Sequence, residues 1–357
     1  MNKFKICVYA ISKNEEKFVD RWFNSMKEAD EIYVLDTGSS DKTVKKLKKL
    51  GVHVYKKKIN PWRFDIARNL SLKLVPNDTD IYVCTDLDEI FLPGWRKKLE
   101  DNWNNNTRAR YTYNWKLDEN NKPLISFYTE KIHSKGYKWI NPVHEVLSCD
   151  FNESWVTIDD IVLNHYPDTS KSRSSYLPLL ELSVKEDPNN DRNMHYLGRE
   201  YMYYHKWNEC IDTLIKHLNL KTATWKDERC ASMRFIARAY TELNRYDEAK
   251  MWLNKAIEEA PYLRDPYVER ALLSYKLEEW NDVIYYSNEA LKIKKHPKTY
   301  INEIFSFDYT IYDLIAISNY YLEQYDEAIK YSTLALNMEP NNERLKQNHE
   351  IYLKKGN

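Results

Sequence analysis

The residues with the clearest chemical potential are two aspartates, Asp86 and Asp88, which are separated by Leu87. They follow Ile81 to Thr85, a run of apolar and β-branched residues that is typical of a buried strand. Carboxylates at alternate positions after a strand can hold a divalent cation, and oxygen ligands favour Mg²⁺ or Mn²⁺. Such a triplet also arises by chance in acidic loops, so the surrounding elements decide what it means.

The segments before the triplet alternate between strand-like and helical patterns. We expect strands at Lys5–Ser12, Glu31–Leu35 and Val52–Tyr55, and helices at Lys17–Glu28 and Lys42–Leu50. This alternation predicts a mainly parallel α/β sheet, in which ligands bind outside the carboxyl ends of the strands. Asp36 and Asp86 both lie at such ends. Later segments, including Arg108–Trp115 and Leu124–Tyr128, are predicted to be further, antiparallel strands.

From about Tyr176 the sequence changes to long helical patterns with a repeated motif of an aromatic residue, Asp or Asn, an acid and a small or apolar residue. The intervals between the aromatic residues are 39, 34 and 45 positions, at Trp207, Tyr246, Trp280 and Tyr325. These intervals are close to the tetratricopeptide period of about 34 residues, so each motif is expected to mark a helical hairpin. We therefore predict an α/β domain over residues 1–170 and a helical repeat domain over residues 171–357.

The composition excludes several classes of protein. Among the 357 residues, Lys plus Arg and Asp plus Glu both number 54, and a net charge of zero gives no general attraction to nucleic acid. There is no run of about 18 apolar residues and no signal-peptide core at the start, so a cytoplasmic protein without a transmembrane segment is expected. The five cysteines are scattered singly, which favours reduced thiols over a zinc or redox site.

Three motifs carry a resemblance to a known family. Ser12-Lys13-Asn14-Glu15-Glu16, the segment from Asp36 to Thr43, and Asp86-Leu87-Asp88-Glu89 resemble the family 2 glycosyltransferases with a GT-A fold, over roughly residues 4 to 170. The segments Trp62–Asn69 and Val143–Glu145 are similar to a subgroup with a tetratricopeptide tail, which includes the bacteriocin S-glycosyltransferases. The resemblance implies metal-dependent, inverting transfer of a sugar from a UDP-sugar.

The resemblance also implies roles on the nucleotide side. Ile11 is expected beside the base, Asp36 near the uracil and Asp86 near the ribose. Arg68 and Asp65 would line the diphosphate side, which agrees with the bidentate match between a guanidinium and phosphate. The alternative for Arg68 is a solvated charge on a helix face.

On the metal and acceptor side, Asp88 is expected to bind the metal, and His165, after the strand-like run Thr157–Leu163, is a candidate second ligand. Inverting transfer needs a base that deprotonates the acceptor. Glu145 is the first candidate and His144 is its rival. Glu89 could act near the sugar or support the neighbouring aspartates through a hydrogen bond.

The predicted function is transfer from UDP-glucose or UDP-N-acetylglucosamine to a peptide, a protein or a glycan. Helical repeats can bind extended peptides or mediate self-association, so a homodimer is also considered. The alternative is a non-catalytic scaffold with a relic nucleotide-binding domain, although intact Asp36 and Asp88 argue against it. A nucleotidyltransferase is disfavoured because the Ser12–Glu16 loop contains no glycine.

Overall fold

The computed structural model describes residues 3–356, which fall into two compact units. The division lies between Ser183 and Val184, and Lys298–Tyr300 are counted with the first unit. It falls inside a helix, α5 (Tyr176–Glu186). The domain boundary at residue 170 stays a prediction.

The first unit is an α/β structure. Its strands are β1 (Ile6–Ser12), β2 (Glu31–Asp36), β3 (His53–Lys56), β4 (Ile81–Cys84), β5 (Glu89–Phe91), β6 (Arg108–Leu117), β7 (Pro123–His133), β8 (Lys138–Ile140), β9 (Val146–Ser148) and β10 (Trp155–His165). Its other helices are α1 (Val19–Met26), α2 (Thr43–Lys49), α3 (Phe64–Leu72) and α4 (Trp95–Asn102). Within the described residues the main sheet has the order β3-β2-β1-β4-β7-β6-β10-β5, and β8 pairs with β9.

The parallel part of the sheet places the candidate residues at one edge. Strand β1 pairs in parallel with both β2 and β4, and Ile6 to Ala10 have no exposed surface. A strand that is buried on both faces needs a continuous apolar run, which the sequence supplies. Because Ser12 lies opposite Asp36 and Tyr9 lies opposite Cys84, β1, β2 and β4 end close together.

The remaining strands complete a mixed sheet, as predicted. Strand β7 runs antiparallel to both β4 and β6, and β6 runs parallel to β10. Strand β7 extends to His133, five residues beyond the predicted end at Tyr128, because its last residues pair with β4 as well as β6. Strand β10 pairs antiparallel with β5 and sets His165 opposite Glu89.

The second unit consists of helical hairpins. Its helices are α6 (Asp191–Tyr203), α7 (Trp207–Asn219), α8 (Lys226–Glu242), α9 (Tyr246–Glu259), α10 (Asp265–Lys276), α11 (Trp280–Lys292), α12 (Thr310–Tyr321), α13 (Tyr325–Met338) and α14 (Glu343–Gly356), with a 3₁₀ turn at Ile304–Ser306. The four predicted aromatic residues are the first residues of α7, α9, α11 and α13. The hairpins are therefore confirmed.

A shared backbone conformation explains why each hairpin turns there. Two residues before each aromatic residue, the chain has a positive φ between 56° and 61°, at His205, Asn244, Glu278 and Glu323. A single residue in the left-handed region ends a helix and reverses the chain. None of the four residues is glycine, so the positions of glycines in the sequence do not mark these turns.

Two further expectations concern the whole chain. Across residues 3–356, no helix combines the length and the apolar character that crossing a bilayer requires. All five cysteines are free thiols, and Cys149 is the one that is only partly buried. The thiols are unpaired, as expected, and four of the five are buried.

Candidate active site

Asp86 lies two residues beyond β4 and is held between two cations. Its Oδ1 accepts a hydrogen bond from Nη2 of Arg68 at 2.6 Å, and its Oδ2 lies 3.2 Å from Nζ of Lys131. Burial favours the neutral acid, but the two cations outweigh it and hold the pKa of Asp86 well below its usual range. Asp86 is therefore an ionised carboxylate, and its side chain remains 33% exposed.

Arg68 projects from α3 and connects Asp86 with Glu145. Its Nε donates to Oε1 of Glu145 at 3.0 Å, and Nη1 lies 3.5 Å from the carbonyl oxygen of Thr85. Only 3% of the residue is exposed, so the alternative of a solvated helix-face charge is wrong. Burial would lower the pKa of Arg68, but Asp86 and then Glu145 raise it above its ordinary value.

Lys131, on β7, is a site residue that the sequence interpretation missed. Its Nζ lies 2.8 Å from Oε1 of Glu89 and also reaches Asp86, so burial, which would lower its pKa, is outweighed and the pKa is raised. It was missed because the predicted strand ended at Tyr128. The sequence offered one signal for this role, a single lysine in a strand-like segment that proves to be half-buried.

Glu89 supports the triplet from inside the fold. It is 2% exposed, and its Oε2 accepts the backbone N–H of Asp86 at 2.9 Å while Oε1 binds Lys131. These contacts fix the turn between β4 and β5. Glu89 therefore has the hydrogen bonds that a role in supporting the neighbouring aspartates requires.

Asp88 and His165 lie together at the end of β10. Nε2 of His165 is 3.5 Å from Oδ2 of Asp88, and the backbone N–H of Tyr166 donates to the carbonyl oxygen of Asp88 at 2.8 Å. Burial would lower the pKa of His165, but the hydrogen bond and charge of Asp88 raise it overall. The β5–β10 pairing thus brings together two residues that are 77 positions apart.

The tautomer of neutral His165 makes this pair suited to a cation. Nδ1 lies 3.1 Å from the carbonyl oxygen of Trp115, which only accepts, so Nδ1 carries the hydrogen. In the neutral ring, the lone pair of Nε2 then faces the Asp88 carboxylate. Two acceptors that face each other need a cation between them, which can be a proton or a divalent metal ion.

These two side chains, an oxygen from Asp88 and a nitrogen from His165, fit part of the ligand set of Mn²⁺ better than that of Mg²⁺, which takes oxygen ligands. Within residues 3–356, no group of three or more His, Cys, Asp or Glu side chains is arranged to hold a metal ion. Any ion at this pair therefore needs further ligands from solvent or substrate.

Asp36 and Ile11 lie at the ends of β2 and β1. The Asp36 carboxylate is 1% exposed and accepts hydrogen bonds from Ser12 Oγ at 3.2 Å and from the backbone N–H of Ser39 at 3.1 Å. It therefore shapes its own loop. Ile11 is half-buried opposite Leu35. Their expected contacts with a base stay predictions.

Glu145 reaches the site because a hairpin docks on α3. The amide of Asn69 donates to the carbonyl oxygen of Trp139 at 2.7 Å and accepts from its N–H at 2.9 Å. The N–H of Phe64 donates to the carbonyl oxygen of Pro142 at 2.9 Å. These contacts hold the loop between β8 and β9 over α3 and place Glu145 against Arg68. Its role as a base stays a prediction.

Asp65 and His144 lie at the edge of this arrangement. Asp65 is 8% exposed and forms a two-point ion pair with Arg63, at 3.0 and 2.8 Å. His144 has a positive φ of 52° and its ring lies edge-on to Tyr176, with centroids 5.8 Å apart. The diphosphate contact of Asp65 and the alternative base role of His144 stay predictions.

A cavity of about 470 Å³ opens beside His165. Lys17, Phe18, Arg21, Trp115 and Tyr166 are among its lining residues. It combines aromatic surfaces with cationic groups, as a site for a sugar diphosphate would. A larger cavity, about 630 Å³, has lining residues such as Lys73 and Tyr82 and includes none of the predicted site residues. We place the candidate site at the smaller cavity because His165 lines it.

Comparisons with known proteins agree with this architecture. Residues 7–152 match the model of glycosyl transferase family 2, and residues 235–262 match a tetratricopeptide repeat model. No curated protein matches the chain. The subgroup that includes bacteriocin S-glycosyltransferases is not confirmed.

Solved structures resemble about half of the chain. The crystal structure of MamA is 22% identical, with a TM-score of 0.39, and the match covers 49% of this chain and 96% of that one. A tetratricopeptide repeat protein from Parabacteroides merdae is 17% identical, with a TM-score of 0.40 and coverage of 51% and 66%. A thermophilic TPR protein of Thermus thermophilus is 18% identical, with a TM-score of 0.35 and coverage of 51% and 90%.

The predicted fold class is therefore confirmed, a mixed, mostly parallel GT-A type sheet followed by a tetratricopeptide-like helical region. The carboxylates at the edge where β1, β2 and β4 end lie within the residues that match the transferase model. His165 lies beyond the end of that match. The chain thus carries a glycosyltransferase family 2 domain over residues 7–152 and a tetratricopeptide repeat over residues 235–262.

Proposed function

We propose that this protein is a metal-dependent, inverting glycosyltransferase that uses a UDP-sugar, with UDP-glucose or UDP-N-acetylglucosamine as the first candidates. The observation that carries the proposal is the pair Asp88 and His165, whose facing acceptor atoms are 3.5 Å apart. The family 2 domain supports sugar transfer in general. A divalent cation bound there would neutralise the diphosphate leaving group.

The side chains around this pair divide the work. Arg68 and Lys131 keep Asp86 ionised and fixed, while Glu89 holds its backbone. Asp86 is then available for the ribose through its exposed edge. Glu145 is the proposed base, and Arg68 orients its carboxylate at 3.0 Å. Because Arg68 occupies Oε1 of Glu145, an acceptor would have to approach the other carboxylate oxygen, Oε2.

The acceptor proposed is a peptide, a protein or a glycan. Helical repeats present extended surfaces to peptides, which favours a peptide or protein over a glycan. Self-association through the repeats is a second proposal for the same helices. Both remain open to direct measurement by crosslinking and by intact-mass analysis of candidate acceptor proteins incubated with donor.

A thermal-shift screen of the full chain tests the proposal. UDP-, GDP- and CDP-sugars are each added with and without Mn²⁺, and UDP-sugars are expected to raise the melting temperature only when the metal is present. A ligand at about 100 times its dissociation constant stabilises a protein by about 2.7 kcal/mol, which such a screen detects. If no nucleotide sugar changes the melting temperature under either condition, the proposal fails.

A further inference from the structure

The connection between β10 and α5, residues 166–175, is tied to the loop and helix that follow β1. Nζ of Lys17 lies 2.7 Å from Oδ1 of Asp168, and Lys171 forms an ion pair with Glu15. Nη2 of Arg21 donates to the carbonyl oxygen of Tyr166 at 3.2 Å. The connection directly follows His165, so these contacts lie beside the proposed metal pair.

The residues at the edge of the sheet and the residues around the 166–175 connection form two sides of the site, and these sides carry different charges. The sheet-edge side holds two cations and four carboxyl groups. Arg68 and Lys131 pair with the carboxyl groups of Asp86, Glu89 and Glu145, and the fourth, that of Asp88, lies beside His165. In their ionised forms these leave an excess of two negative charges, which one divalent cation balances. The diphosphate of a nucleotide sugar adds further negative charge. Its counter-charge must therefore come from elsewhere.

The cations on the opposite side are Lys17, Arg21 and Lys171. Arg21 is held rigidly, because its guanidinium lies 4.7 Å from the ring centroids of both Phe18 and Tyr166. Burial lowers the pKa of Arg21. Lys17 is paired with Asp168, whose pKa lies well below its usual range because of that hydrogen bond, so Asp168 stays ionised and keeps its partner. Lys171 is different because its partner can become neutral.

Glu15 is that partner, and its surroundings disfavour its charge. Its side chain is 14% exposed, and its Oε2 is buried with no hydrogen-bond partner within residues 3–356. Burial raises the pKa of Glu15 to about 7, with Lys171 opposing and the charges of Asp88 and Asp86 adding to the rise. From α2, the hydroxyl of Thr43 accepts the backbone N–H of Glu15 at 2.7 Å and donates to Oδ1 of Asp41 at 2.6 Å.

We propose that Lys171 binds the donor diphosphate, and that Glu15, which holds Lys171 when no donor is present, becomes protonated from solvent as the donor binds. This inference rests on the proposed function. The Lys171 side chain is 43% exposed, so its ammonium can change partner without unfolding the core. A neutral Glu15 removes a negative charge from beside the incoming diphosphate and leaves the lysine charge fully available. Donor binding is then coupled to proton uptake near neutral pH.

Calorimetric titration of the full chain with Mn²⁺ tests this coupling, with UDP and uridine as the two probes. Lys171→Met is expected to weaken UDP binding about tenfold, the effect of about 1.4 kcal/mol for one charge-assisted contact, and to leave uridine binding unchanged. Lys171→Arg should restore most of the UDP affinity. Lys45→Met, which removes an exposed lysine from α2, is the matched control and should leave both probes unchanged.

Titration with UDP at pH 7 in PIPES and in Tris, two buffers with different ionisation enthalpies, measures the proton uptake. Wild-type protein should take up about half a proton more than Glu15→Gln, because Glu15 titrates with a pKa of about 7. The terminal phosphate of UDP titrates equally in both proteins and cancels in the difference. Equal proton uptake, or unchanged UDP affinity in Lys171→Met, would overturn the inference while leaving the proposed function intact. If wild-type protein binds neither UDP nor uridine, both proposals fall.

Discussion

Arg68 in the α/β unit and Arg234 in the helical unit are both almost fully buried and both bridge carboxylates. Arg234 is 1% exposed, and its Nη1 and Nη2 lie 2.8 Å from Oε1 of Glu269 and from the carbonyl oxygen of Ile301. Asp265 is covered as well, since its Oδ1 accepts from the N–H of Glu303 at 2.7 Å and from Ser306 Oγ at 3.0 Å.

The two clusters differ in how far their carboxylates are covered. In the helical unit the chain's own segment, residues 301–306, covers the carboxylates on α10. At the sheet edge, the side chains of Asp86 and Asp88 remain 33% and 24% exposed. The same residue types therefore build the fold in one unit and leave anionic groups open to a ligand in the other. Burial of the arginine therefore does not distinguish the two clusters, whereas the exposure of their carboxylates does.

The segment that covers the buried cluster of the helical unit limits where an acceptor peptide could bind. A helical repeat surface was expected to bind an extended peptide, yet at α8 and α10 the segment Ile301–Ser306 already takes up side-chain hydrogen bonds through its backbone. An acceptor peptide would therefore need another part of the repeat surface.

The largest expected effect comes from Glu145→Gln. The amide oxygen of Gln can still accept from Arg68, but it cannot take a proton from the acceptor, so transfer should fall about 10²–10⁴-fold. Donor affinity, measured by calorimetry, should stay within about twofold of wild type because the amide oxygen keeps the contact that positions Arg68. Glu119→Gln, at an exposed position, is the control. Transfer at the wild-type rate would show that Glu145 is not the base.

The next effect tests the structural role assigned to the cluster in the helical unit. Arg234→Met removes the cation beside Asp265 and one of the two cations that bind Glu269, the other being Arg238. It should cost about 3–5 kcal/mol of unfolding free energy, measured by urea denaturation. The exposed pair formed by Arg245 should be worth less than about 1 kcal/mol, so Arg245→Met is the control. A comparable loss in both variants would contradict the distinction between covered and exposed pairs.

Asp88→Asn examines the open carboxylate at the sheet edge. The amide is a weaker ligand than the carboxylate, and the Mn²⁺-dependent rise in melting temperature caused by a UDP-sugar should disappear, with transfer reduced about 100-fold. Asp101→Asn, on the solvent side of α4, should behave like wild type. If the rise in melting temperature of Asp88→Asn still depends on Mn²⁺, Asp88 is not a metal ligand.

The smallest effect concerns pH. The pKa of Glu15 is raised to about 7 from 4.5, so its contribution to stability is present below about pH 4.5 and is lost as the pH rises through 7. Glu15→Gln lacks this loss. A shift of this size corresponds to at most about 3 kcal/mol, which solvent screening reduces. Relative to wild type, the variant should therefore gain about 1–2 kcal/mol of unfolding free energy between pH 4.5 and pH 8. If the unfolding free energies of the two proteins, measured by urea denaturation, change in parallel with pH, the pKa of Glu15 is not raised.

Much of the fold could be predicted because its signals are local. The continuous apolar run in β1 and the turn motifs before Trp207, Tyr246, Trp280 and Tyr325 each lie within a few residues of the feature they specify. The end of β7 was misplaced because its last residues pair with β4, about 50 positions earlier, and local sequence does not encode such a partner.

The sequence by itself determined which acids end the strands, and therefore that Asp36 and Asp86 share one edge of a parallel sheet. Only the tertiary structure decided their partners. The pairing of β5 with β10 sets His165 beside Asp88, and the docking of the β8–β9 hairpin on α3 sets Glu145 against Arg68. Local patterns report burial and chain direction, whereas register across the sheet decides which charges meet.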